Sequence, residues 1–303
     1  MIPSFKISYK KILIFFFALI TILLFFLDRY NTILNQKELD IFVFNQMKIV
    51  EDELENQKKQ ALSLVLMFSQ NQEIIRNLEE NNPKELKKEL LKLLNIISTY
   101  TKQNIDVQIH TKNLDVFTRS WEDKDFGENL ASFREGLVKV KNTQKPFVSS
   151  ELGKRFNIKA IAPIYDVNNN FLGSIEIIID FKDLVYKLKN LGISSMILLE
   201  NDYLNIATSY KDNKKIDSFT ILQNSFDNYE EKSVKEVLNS NKLFVESNSK
   251  IYSKIPLGSF GNKNAGVLLV CFEKFAKNLG LLEIPCQSDK IISRIEHGTR
   301  NRI

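Results

Sequence analysis

The sequence predicts an α+β protein: an N-terminal transmembrane helix, a long stalk helix, then two tandem modules, each on a central antiparallel sheet. Three observations carry this. Ile12 to Leu27 is apolar throughout except for Thr21. From Tyr30 to Glu80 apolar residues recur at three, four or seven positions, the spacing of one helical face. Beyond Gln103 the pattern changes to period two, broken by Asn- and Asp-rich turns, and its order of elements comes twice.

The anchor comes first. Residues 1–11 hold Lys6, Lys10 and Lys11 with no acid, so they form a cytoplasmic stub, and the span 12–28 closes at Asp28-Arg29. The apolar run falls somewhat short of a hydrocarbon core of roughly 30 Å, so the helix recruits Ser8 and Tyr9 or thins the bilayer. Phe25-Phe26-Leu27-Asp28-Arg29 lacks the small residues of a signal-peptide cleavage site. Everything after Arg29 is therefore expected outside.

Residues 29–102 read as a helical region. Leu34, Ile41, Phe44, Met47, Val50, Leu54, Ala61, Val65, Phe68, Ile75 and Leu78 form its stripe. The part nearest the membrane has nothing obvious to cover it, which predicts a homodimer through this helix. Asn81-Asn82-Pro83 breaks the helix, and Leu86, Leu90, Leu93, Ile97 and Tyr100 carry a second one to about Lys102.

The first module is expected over 103–181. Ile105, Val107 and Ile109 alternate with Asp106, Gln108 and His110, and Lys112-Asn113 turns the chain into a strand through Phe117, Arg119 and Trp121. Strict alternation puts those three on one face and Leu114, Val116 and Thr118 on the other, so rings and a guanidinium line one surface suited to a small polar or anionic ligand. Asn129 to Lys141 reads as a helix with Arg134 at the margin of its apolar face. Strands follow at Pro146 to Glu151, Arg155 to Tyr165 and Phe171 to Phe181.

The second module, 182–274, repeats this order. Met196 to Glu200 and Tyr203 to Ser209 parallel the first hairpin, and Lys254-Ile255-Pro256 before Gly266-Val267-Leu268 matches Ile161-Ala162-Pro163 before Gly173-Ser174-Ile175.

Composition removes several function classes. Apart from the N-terminal lysines and a basic tail from Phe275, the body carries equal numbers of acidic and basic side chains, which argues against nucleic acid. His110, His297, Cys271 and Cys286 show no metal-ligand spacing, and no nucleophile elbow or phosphate loop occurs. Glu122-Asp123-Lys124-Asp125 reads as a solvated loop rather than a calcium site. Neither an enzyme, a metal nor a cofactor is expected.

Anchor, long helix and paired modules, with Thr118-Arg119-Ser120-Trp121, Asn129-Leu130-Ala131-Ser132-Phe133-Arg134, Ile161-Ala162-Pro163-Ile164-Tyr165-Asp166 and Phe171-Leu172-Gly173-Ser174-Ile175-Glu176, resemble the double Cache sensory domains of bacterial receptors. The resemblance covers roughly Tyr30 to Phe272 and is closest to the branch described as the double sensory domain of two-component sensor kinases. It implies two PAS-like modules, the first membrane-distal and ligand-binding, the second a membrane-proximal relay. It also implies that Arg119, Trp121, Phe133, Arg134, Glu151, Arg155 and Glu176 bind a small solute, an amino acid or carboxylate. Lys159 stands where the family pattern has an Arg, which leaves ligand class open. The competing structural role is an ion pair of Arg134 with Glu151 or Glu176, and the competing function is a tethered scaffold whose modules bind nothing. The implied setting is the bacterial inner membrane with the bulk of the chain in the periplasm, and the single pass read above leaves either a truncated receptor or a separate membrane signalling protein as partner. Residues 275–303 lack periodicity and offer no second crossing, the pattern of a truncated receptor.

Overall fold

The computed structural model describes residues 9–123, 126–258 and 264–274. The irregular tail 275–303, with Cys286 and His297, and the first eight residues of the stub lie outside the described residues.

Helix α1 (Tyr9–Ser69) begins with side chains exposed all round from Ile12 to Leu27 and, at a mean hydropathy of 2.5, is long and apolar enough there to cross a membrane. Farther on, Val43, Met47, Val50, Leu54, Gln57, Ala61, Val65 and Phe68 are buried at spacings of three or four. Tyr30, Leu34, Ile41 and Phe44 lie on the opposite face, with Ile41 61% and Phe44 64% exposed. The single stripe expected from sequence is thus two stripes, because successive steps of three and four residues drift around a helix of 3.6 residues per turn.

The stalk helix also ends earlier than expected. Asn71 caps a separate helix, α2 (Gln72–Glu79), its Oδ1 accepting from the backbone N–H groups of Glu73 at 3.0 Å and Ile74 at 3.2 Å. Helix α3 (Pro83–Thr101) starts with its proline in the first turn, where the missing N–H costs nothing, and ends at left-handed Lys102.

Strands β1 (Ile105–Thr111), β2 (Val116–Arg119), β3 (Phe147–Glu151), β4 (Asn157–Tyr165) and β5 (Phe171–Ile179) form an antiparallel sheet in the order β2-β1-β5-β4-β3. Helix α1 lies across β3, β4 and β5, burying Ile158, Ala160, Ala162, Ile164, Ile175, Ile177 and Ile179 in a common core. Helix α4 (Glu135–Thr143) covers the other face with Leu137 and Val140, which join Val116, Leu130 and Ile161 in a smaller cluster.

Two local expectations fail in this module. Ile109 pairs with Thr118 and His110 with Val116, leaving Phe117 as the extra residue of a bulge. The bulge breaks the alternation, so Phe117 joins the α1-side core while Val116 and Arg119 share the α4 side. The helix expected from Asn129 starts only at Glu135, because the Asn129 side chain is spent on a turn, accepting from the N–H of Ala131 and donating to Asp115.

Asp180 ends β5 and caps α5 (Phe181–Asn190), a helix that leads into the second sheet. That sheet contains β6 (Ser194–Glu200), β7 (Lys215–Ile216), β8 (Phe219–Asn224), β9 (Phe244–Ser247), β10 (Lys250–Leu257) and β11 (Gly266–Glu273), in the order β7-β8-β6-β11-β10-β9, with α6 (Glu231–Asn239) packed on β9 and β10. Apart from short β7 the strand order repeats that of the first sheet, so the two modules are PAS-like copies of one plan. The partner of β6 is β8, not the expected stretch Tyr203 to Ser209. Those residues form two short 3-10 turns, Asn201–Tyr203 and Thr208–Tyr210, whose Tyr203, Leu204, Ile206 and Tyr210 pack onto the main core. Their apolar spacing suits such turns better than alternation does. Cys271 on β11 is a buried free thiol, pushed up to about 11 by burial.

Candidate ligand site

Register sets out the polar face of the first sheet in rows. Arg119, Gln108, Glu176, Ile161 and Phe147 stand side by side across all five strands. The next row toward the open end is Asp106, Ile178, Lys159 and Ser149, and the next toward α4 holds Val116, His110, Ser174 and Pro163. Helix α4 is short and covers only part of this face. Over the rest lies a cavity of about 300 Å³.

Gln108, Ile178 and Lys159 are its floor, and Leu130, Phe133 and Arg134, from the turn before α4, are one wall. Gly153, Lys154 and Arg155 from the β3–β4 loop form the facing wall, Trp121 and Glu122 the rim, and Ser209 reaches in from the second module.

Arg134 is buried and held on all sides. Its Nη1 donates to Glu176 Oε2 at 3.2 Å, its Nη2 to Glu176 Oε1, and its Nε to Glu151 Oε1 at 3.2 Å. Burial opposes the charge, but the two carboxylates outweigh it and hold the guanidinium protonated. Glu151 also accepts from the N–H of Gly136 at 3.1 Å, placing an anion at the N-terminus of α4. A side chain at position 136 would overlap the Glu151 carboxylate, so the close approach needs glycine there.

His110 lies behind this pair, its Nδ1 3.2 Å from Ser174 Oγ. Burial, and then the neighbouring Arg134, push the imidazole down to about 3. It is therefore neutral, and its 3.9 Å approach to Glu176 is no ion pair.

Lys159 donates to the carbonyls of Glu151 at 2.8 Å and Arg155 at 2.9 Å. Burial, and secondarily Arg134, push its ammonium down to about 7. Arg119 donates to Glu122 at 2.7 Å and to Glu128 at 2.8 Å, and Glu128 also accepts from Lys154 at 3.0 Å. Partial burial alone would raise the Glu128 carboxyl, but hydrogen bonds from Arg119 and Lys154 leave it below its usual range. Trp121 is 37% exposed, with the guanidinium carbons of Arg155 and Arg119 4.9 and 5.8 Å from its ring centre. Arg155 is further tied to Asp106 at 2.7 Å.

Of the residues expected from sequence, Arg119, Trp121, Phe133, Arg134 and Arg155 meet on the cavity wall. Glu151 and Glu176 stand behind Arg134 as its counter-ions. Gln108, Lys154, Lys159 and Ser209 were not among the expected site residues. Lys159 carries a usable signal, a charged side chain within an otherwise largely apolar strand, and Gln108 a weaker one, its place on the polar face of β1. Ser209 carries none, since only the packing of one module on the other brings it there.

A family model described as the double sensory domain of two-component sensor kinases matches residues 43–273. The chain belongs to that family. Solved structures of sensor and ligand-binding domains match the chain as well. The sensor domain of the Vibrio cholerae histidine kinase DctB is 11% identical, with a TM-score of 0.47, over 82% of this chain and 100% of that one. The ligand-binding domain of the Campylobacter jejuni chemoreceptor Tlp3, solved with 4-methylisoleucine, is 12% identical, with a TM-score of 0.41, over 78% and 92%. The Escherichia coli DcuS sensor domain is 14% identical, with a TM-score of 0.38, over 45% and 98%. No curated protein matches the chain. A family of this kind is a sensory, extracytoplasmic one.

Proposed function

We propose that this double Cache chain is a membrane-anchored, periplasmic input domain that binds a small carboxylate in the cavity of its first module. The observation that carries the reading is the charge of the lining. Among the described lining residues Arg119, Arg134, Lys154, Arg155 and Lys159 face a single carboxylate, Glu122, which Arg119 already engages. An amino acid would need an acceptor for its ammonium, and the wall offers little besides Glu122 and the Gln108 amide. A carboxylate is therefore favoured over an amino acid.

The anchor is 12–28, the helical region 29–102, the ligand-binding module 103–181 and the relay module 182–274. Contacts along α1 support the second module as the membrane-proximal one. Phe42 meets Phe272 of β11, whereas Gln60 meets Gln103 at the entry to β1. At 1.5 Å per residue the second contact lies roughly 27 Å farther from the anchor. Tyr30, Leu34, Ile41 and Phe44 form the exposed seam by which two copies pair. The input domain hands its signal to a signalling protein of the inner membrane, and its own role is binding rather than catalysis.

One observation favours the scaffold reading instead: Arg119 and Arg134 are already engaged by carboxylates. A thermal-shift screen of the full chain in detergent against small mono- and dicarboxylates and amino acids separates the two. A ligand at a hundred times its Kd stabilises by about 2.7 kcal/mol, well within detection. Stabilisation by carboxylates supports the sensor, and silence across the panel favours the scaffold.

A further inference from the structure

The loop between β3 and β4, Leu152 to Phe156, has two working sides. Toward the cavity it presents Gly153, Lys154 and Arg155. Away from the cavity it drives Phe156, 1% exposed, into the second module. The ring sits 5.5 Å from that of Phe181 at the start of α5, and the ends of β10 and β11 are shaped around it. A methyl at Gly266 would lie 2.8 Å from Phe156 Cε1, and one at Gly258 would lie 3.0 Å from Cε2 and 2.5 Å from the Ser150 carbonyl. Glycine at both places leaves room for the ring, and at Gly266 also for the Leu198 carbonyl, which a methyl would meet at 2.5 Å. The loop touches the second module again where the N–H of Ser209 donates to the Lys154 carbonyl at 3.4 Å.

One ammonium ties this loop to the cavity floor. Lys159 Nζ donates to the carbonyls of Glu151, just before the loop, and of Arg155, within it. An anion in the cavity would take the ammonium's third N–H, and because the same nitrogen holds both carbonyls, any shift of it toward the anion pulls on the loop.

We propose that the β3–β4 loop is the lever that couples the cavity to the second module, with Phe156 as its far end. Movement of the loop shifts Phe156 against the ends of β10 and β11. Strand β11 pairs with β10 along its length and carries the change to Phe272, which packs on Phe42 of α1 below the first module. The signalling meaning of this coupling rests on the cavity being the ligand site, but the mechanical coupling does not.

The test therefore uses no ligand. Hydrogen exchange is followed in the full chain in detergent for the unaltered protein, for Lys159→Met, which cuts the tether to the floor, and for each again with Phe156→Leu. The lever predicts that Lys159→Met raises exchange several-fold at Leu257, Gly258, Gly266 and Val267, that remote α6 in the same module is unchanged, and that Phe156→Leu removes the increment. Should Lys159→Met fail to fold, Arg155→Ala perturbs the loop from its exposed side and is read in the same way. Loosening confined to the loop, or an increment at the strand ends that survives Phe156→Leu, overturns the lever. Either result leaves the binding proposal standing, because no solute enters the measurement.

Discussion

Arg134→Ala strands two carboxylates in the interior. Glu176 has a side-chain exposure of 0% and Glu151 of 7%, so water cannot solvate them once the guanidinium is gone. Removing one partner of a buried pair costs about 3–5 kcal/mol, a large part of the roughly 5–15 kcal/mol that holds a domain together. Arg119→Ala provides the contrast. Its partners Glu122 and Glu128 have side-chain exposures of 34% and 28%, so water takes over much of the lost interaction and the cost falls toward the ~1 kcal/mol of exposed pairs. Unfolding of the full chain in detergent, followed by far-ultraviolet circular dichroism, measures both. Adding Glu176→Gln to Arg134→Ala removes one stranded charge and should restore part of the loss. The reasoning fails if Arg134→Ala costs no more than Arg119→Ala, or if Glu176→Gln restores nothing.

Lys159 gives a pH dependence. With the folded ammonium pushed down to about 7, the unfolded chain binds the extra proton between about pH 7 and 10.5, so stability rises with pH in that window, by roughly 1 kcal/mol per unit. Below pH 7 both states are protonated and the fold bears the full cost of the buried charge. Lys159→Met should lack this rise, and parallel stability curves from pH 7 to 9 would falsify it. Gln57, fully buried on the α1 stripe with neither amide atom hydrogen-bonded, should yield about 1–2 kcal/mol when replaced by Leu, read as a higher Tm. A lower Tm would mean that the amide has a role in the core. Single cysteines at Ile41 or Phe44, in a Cys286→Ser background, should crosslink efficiently in membranes, whereas cysteine at buried Val50 should not. Equal yields at all three positions, or none at any, would remove the seam.

Much of the plan was legible because it depends on periodicity. The stalk, the break at Asn81-Asn82-Pro83 and the repeat of the module all leave countable marks in the sequence, apolar spacings or Asn-rich turns. The ion pair of Arg134 was legible as an alternative, since a buried guanidinium needs a counter-ion and Glu151 and Glu176 were the acids nearest in pattern. What failed was set by local geometry or by tertiary packing. A one-residue bulge at Phe117 exchanged the sides of Val116 and Phe117 relative to Arg119, and nothing in Val116-Phe117-Thr118-Arg119 marks it. Asn71 ended α1 because its side chain satisfies the next helix better than it continues the first. Tyr203 to Ser209 carries strand-like residues, yet its apolar side chains pack into the main core and its backbone bends into turns. Ser209 reaches the cavity only because the two modules touch.

Trp121 is the only tryptophan in the sequence and stands on the cavity rim with Arg155 against its ring. Its emission during titration of the full chain with small carboxylates is the most direct test of the cavity as the ligand site. The predicted result is a saturable change for at least one carboxylate, weakened about tenfold or more by Lys159→Met, as expected for loss of one charge-assisted hydrogen bond. A carboxylate that stabilises the chain while leaving Trp121 emission unchanged, equal affinity in Lys159→Met, or no saturable response to any carboxylate up to millimolar concentration would contradict it.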